Sequence, residues 1–137
     1  MATTIKGKYQ GGLRNELTHV QSKNTIITDA PTDNKGKGEA FSPTDLVCGA
    51  LAACMMTIMG ITACEHGFDI DGTTYEVKKT MASDPRRIGQ IDLVFNFPSR
   101  EYTTKQQTML WNAADTCPVA KSLHHDIIIN ISMNFQF

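Results

Sequence analysis

Between Leu46 and Cys64 nineteen consecutive positions carry no charge, so a helix there is apolar on every side rather than along one stripe. Its start is marked by Phe41-Ser42-Pro43-Thr44-Asp45. Ser42 is placed as N-cap, Pro43 at the first helical position and Asp45 three residues after the cap, with Phe41 and Leu46 as a hydrophobic staple. Gly67 supplies the left-handed stop after His66. Before this helix, shorter runs around Ile5–Tyr9, Leu13–Val20 and Asn24–Thr28 read as strands joined too closely for a crossover helix, hence antiparallel. The polar stretch from Asp29 to Ala40 reads as a mobile, solvated loop.

After the helix, Thr74–Met81 alternates as a half-buried strand. Ile88–Phe97 is longer and aligns Ile91, Leu93 and Phe95 on one face, and the short link between the two predicts an antiparallel hairpin. Thr103–Ala114 has helical spacing, and Pro118 opens a second helical segment to His124 with Cys117 at its N-cap. In the closing segment Ile127, Ile129, Ile131, Met133, Phe135 and Phe137 share one face of a strand. The order is three strands, a long helix, two strands, a broken helix and a strand. It predicts one α+β domain over residues 1–137, with antiparallel sheets around a buried central helix.

Composition narrows the class. The chain has 137 residues, 13 Lys+Arg against 14 Asp+Glu, and a formal net charge of −1. Neither nucleic acid nor an anionic membrane is the expected partner, because each demands a basic face. The uncharged run has the length of a membrane span, but many of its residues are Gly, Ala, Thr or Cys, and its flanks are acidic. A core helix is the better reading. Met1–Lys6 has no signal-peptide pattern, so a cytoplasmic location with reduced thiols is expected.

Cysteine is the one residue class placed suggestively. Cys117 lies at a helix start, where free amides and the helix dipole favour a thiolate, with Lys121 one turn on. Cys54, midway along the long helix, lacks that help, and Cys48 and Cys64 read as packing residues. No nucleophile elbow, phosphate cradle or carboxylate pair is present. His124 and His125 would point about 100° apart on a helix, so no metal site and no cofactor are expected.

Two motifs taken together go further. Ser42-Pro43-Thr44-Asp45-Leu46-Val47-Cys48-Gly49-Ala50-Leu51-Ala52-Ala53-Cys54, and later Ala114-Asp115-Thr116-Cys117-Pro118-Val119, resemble the OsmC/Ohr family of thiol-dependent hydroperoxide reductases. The resemblance implies an OsmC-like fold in an intertwined homodimer, with Cys54 as the peroxidatic and Cys117 as the resolving cysteine. Asp45 matches the position of an active-site glutamate. The implied substrate is a small organic hydroperoxide, in an apolar pocket lined by Met55 and Met56 or Ile58, and the implied reductant is an external dithiol. The family's arginine precedes the helix, yet residues 24–40 contain none. Lys23, Lys35, Lys37 or Arg14 would have to serve instead, a lysine without the bidentate fork. That departure keeps a second reading open, a non-enzymatic relative that binds a small molecule.

Overall fold

The computed structural model describes residues 2–135, and Phe137 of the expected closing strand lies outside them. Residues up to Val47 form one compact unit and those from Cys48 a second.

In the first unit β1 (Ile5–Gly11), β2 (Arg14–His19) and β3 (Thr25–Asp29) make an antiparallel sheet in that order. The register sets Arg14 opposite Asp29. Arg14 Nε donates to Asp29 Oδ1 at 2.7 Å and Nη2 to Oδ2 at 2.8 Å, a bidentate pair around a carboxylate only 1% exposed. The Glu39 amide also donates to Asp29 Oδ2 at 3.1 Å, and Arg14 reaches the Glu39 carboxylate at 3.4 Å. The loop expected to be mobile is therefore pinned at Asp29. Midway along it Gly36 packs so closely that a Cβ there would overlap the Ala30 carbonyl.

Arg14 holds the Asp29 carboxyl below the usual carboxylate range, first through its hydrogen bonds and then through its charge. Between its native and unfolded pKa values the native state then binds fewer protons than the unfolded chain. Stability from this pair is present above the unfolded value of about 3.9 and is lost as pH falls through the native value. Arg14 is protonated in both states and adds no slope in the working range. Asp29→Asn should flatten the acid limb of a stability–pH curve, and an unchanged limb would refute this role for Asp29.

α1 (Pro43–Glu65) begins as predicted. The Ser42 amide donates to Asp45 Oδ2 at 3.0 Å and the Asp45 amide to Ser42 Oγ at 3.1 Å, a reciprocal capping box. It ends at Gly67, φ 73°, where Gly67 and Phe68 donate back to the carbonyls of Cys64 and Ala63. Its length and composition alone would suit a membrane span. Yet Leu51, Ala52, Met55, Met59 and Ala63 are buried in the core of the second unit. Within the single chain the helix is buried along one stripe, with Ala50, Ala53, Thr57, Ile61 and Cys64 exposed.

The second unit sets that stripe against a sheet of β4 (Thr74–Ala82), β5 (Arg87–Phe97) and β6 (Ile128–Phe135), in that order. Ile91, Leu93, Phe95 and Phe97 of β5 are fully buried, and Phe97 stacks on Phe135 at 4.6 Å. β4 and β5 pair antiparallel as expected, whereas β6 lies parallel to β5, so this sheet is mixed. The reason is the crossover through α2 (Thr104–Asp115) and α3 (Pro118–Ser122), which returns the chain to the end where β5 began. Away from the core, Asn130 donates to Asp92 at 2.8 Å and Asn134 to Asn96 at 2.8 Å, each bridging residues paired in the ladder.

Candidate functional site

The break between α2 and α3 positions Cys117. Pro118 has no amide to donate and disfavours helical geometry at the residue before it, so Cys117 takes φ −56°, ψ 119° and becomes the N-cap of α3. Its own amide returns to the Ala114 carbonyl at 3.2 Å and its carbonyl accepts from Lys121 at 3.1 Å, which clamps the residue from both sides. The side chain points inward and is 0% exposed.

Cys54 comes from the middle of α1, half-buried on the flank of the core stripe. The fold brings its thiol near enough to act on the Cys117 thiol, although 62 residues intervene. Both are free thiols. Burial pushes the Cys117 thiol above its ordinary pKa. The amides of Ala120 and Val119 face the sulfur and oppose that shift without forming a cap hydrogen bond, and the Cys54 thiol reinforces it. The helix-start argument for a Cys117 thiolate is overridden here, because desolvation outweighs the partial charge of a five-residue helix. The pair thus contains one half-buried thiol and one sheltered thiol whose pKa is raised.

Asp45 caps the start of α1. It lies nine residues before Cys54 on the same helix, and one carboxylate oxygen accepts the Ser42 amide. Arg14, the arginine candidate for a positive partner, has its fork on Asp29 and Glu39, with the Lys37 charge also acting on Asp29. The sequence reading missed Asp29 as the partner of Arg14. An acid facing Arg14 across the β2–β3 register was the available signal. Of the pocket residues expected, Met55 belongs to the core. Met56 lines a cleft of about 230 Å³ with Gly60 and residues Ile70–Thr73, on the helix flank away from Cys54. Cys48 is buried and Cys64 exposed.

The sequence profile of the OsmC-like protein family matches residues 36–132. No curated protein matches the chain in sequence. Among solved structures, a candidate osmotic stress induced and detoxification response protein from Psychrobacter arcticus 273-4 is 53% identical, with a TM-score of 0.93 over 97% of this chain and 96% of that one. An OsmC-like protein from Mycoplasma pneumoniae shares the fold at 17% identity, TM-score 0.81, covering 100% of this chain and 99% of that one. The organic hydroperoxide resistance protein OhrB of Bacillus subtilis does so at 21% identity and TM-score 0.67, over 96% and 98%. With both cysteine motifs inside the matched segment and the α+β architecture common to these structures, the chain belongs to the OsmC-like family.

Proposed function

We propose that the protein is a thiol-dependent hydroperoxide reductase that uses Cys54 and Cys117. The observation that carries this reading is the pairing of a half-buried Cys54 with a buried Cys117 of raised pKa inside the segment that matches the family. The name of OhrB supports the substrate class by analogy only.

The Cys54 thiolate attacks one peroxide oxygen of ROOH. The O–O bond breaks, the departing alkoxide takes up a proton to give ROH, and the sulfur is oxidised to a sulfenic acid. Cys117 then attacks that sulfur and the hydroxyl leaves as water, with the thiol proton of Cys117 balancing the step. An external dithiol restores both thiols by exchange, itself becoming a disulfide. No bound metal or organic cofactor enters these steps. Stopped-flow mixing of reduced protein with an organic hydroperoxide tests the reading: about one disulfide per chain should form with each peroxide consumed. Unaltered thiols after mixing would favour the small-molecule-binding alternative.

The reading includes a homodimer. Ala53, Thr57 and Ile61 leave an uncharged helix face exposed, and Ile5, Tyr9, Leu13 and Ile26 do the same in the first unit. An exposed uncharged helix face is a surface that a second chain can cover. Light scattering should return twice the chain mass of 15.1 kDa, and a monomer mass in dilute native buffer would remove this part.

A further inference from the structure

The helix that was expected to separate His124 from His125 stops at Ser122. Leu123 is already extended, and residues 124–127 form a turn closed by the Ile127 amide on the His124 carbonyl at 3.1 Å. Adjacent residues can present side chains to one point on such a turn, as they cannot on a helix. The two imidazoles stack with centroids 4.4 Å apart and planes 21° apart. The Asp126 carboxylate lies against both, Oδ2 at 3.7 Å from His124 Nδ1 and Oδ1 at 3.3 Å from His125 Nε2.

The hydrogen bonding shows what this cluster offers. The Asp126 amide donates to His124 Nδ1 at 3.1 Å, which fixes the tautomer with a lone pair on that nitrogen. Neither ring hydrogen-bonds to the carboxylate among the described residues. One ligand atom from each residue lies within 4.8 Å of the others, and all three side chains are exposed. Bonds of about 2.1 Å need donor atoms roughly 3–4 Å apart, so rotations of exposed side chains suffice to close the set.

We propose that His124, His125 and Asp126 form a surface site for a borderline divalent transition metal such as Zn²⁺ or Co²⁺. Two nitrogens and one carboxylate oxygen suit that class better than Mg²⁺ or Ca²⁺, which take oxygen ligands. The metal takes over the Nδ1 lone pair from the Asp126 amide, and water fills the remaining positions. Ligation needs neutral imidazoles, so binding weakens in acid. The turn is held between α3 and β6, which limits the ordering cost of binding.

Titration of the reduced chain with Co²⁺, followed by absorption, tests the site. The cysteine pair is a competing ligand, so Cys54→Ser/Cys117→Ser protein is titrated in parallel. One saturable Co²⁺ per chain should bind to the double variant, with visible bands and without near-ultraviolet thiolate charge transfer. His125→Ala and Asp126→Asn on that background should each weaken binding about tenfold or more. Both positions are exposed, so a loss of binding with an unchanged circular dichroism spectrum reports the site itself. Absence of saturable binding, thiolate charge transfer in the double variant, or unchanged affinity in both ligand variants would overturn the proposal.

Discussion

Cys54→Ser should abolish hydroperoxide consumption, while Cys117→Ser should consume one equivalent and stop as a sulfenic acid. The asymmetry follows from the surroundings of the two thiols. Cys54 is half-buried on its helix flank, whereas Cys117 is 0% exposed and its thiol is pushed up by burial. A sheltered, protonated thiol is a poor first nucleophile, since the thiolate is the attacking form. Once Cys54 is oxidised, the same shelter places the second thiol beside the sulfenic acid and limits competing reactions with solvent. The raised pKa has a kinetic signature. The Cys117 thiolate fraction grows as pH rises toward and beyond the ordinary thiol value of about 8.5, so disulfide closure should accelerate over that range. Mass spectrometry after one equivalent of peroxide separates the species. If Cys54→Ser protein still consumes peroxide at the unmodified rate, the assignment of roles is wrong.

Phe95→Ala should lower stability by about 3–5 kcal/mol, a large share of the 5–15 kcal/mol of a typical domain. Phe95 is fully buried in mid-β5, opposite Tyr75 on one side and Met133 on the other, and its ring lies 5.7 Å from that of Tyr75. Truncation removes apolar contact and leaves a cavity under the sheet that cannot close without shifting the ladder on each side of β5. The urea midpoint measures the change, and a shift under about 1 kcal/mol would mean that the site collapses to fill the space. The same variant tests whether β5 supports the cysteine pair through the core it shares with α1 and α2, since disulfide closure should slow as that packing loosens.

Local chemistry made much of this fold legible in the sequence. The Ser42–Asp45 cap, the Gly67 stop and the alternation of Ile91, Leu93 and Phe95 each act over a few residues, and each is found where the pattern puts it. Non-local facts were out of reach. The parallel partner of β6 depends on how a thirty-residue crossover packs (residues 98–127), and periodicity is silent about direction. At Cys117 the local signal pointed the wrong way, because a helix start favours a thiolate while the fold buries the sulfur. Which cysteines meet was available only through the resemblance. The geometry of His124 and His125 turned on where a short helix ends, which pattern reading fixes only to within a few residues.

The two amide bridges between β5 and β6 bear on how the parallel pairing avoids slippage. A one-residue slip would turn Ile129, Ile131 and Met133 outward, so burial alone opposes it. A two-residue slip is different. It keeps every apolar side chain inward, and residues as alike as Ile129 and Ile131 give the core little reason to object. On the polar face such a slip in either direction sets an asparagine, Asn130 or Asn134, opposite Val94, and both bridges are lost. The apolar face makes the strand adhere, and the asparagines tell it where to stop.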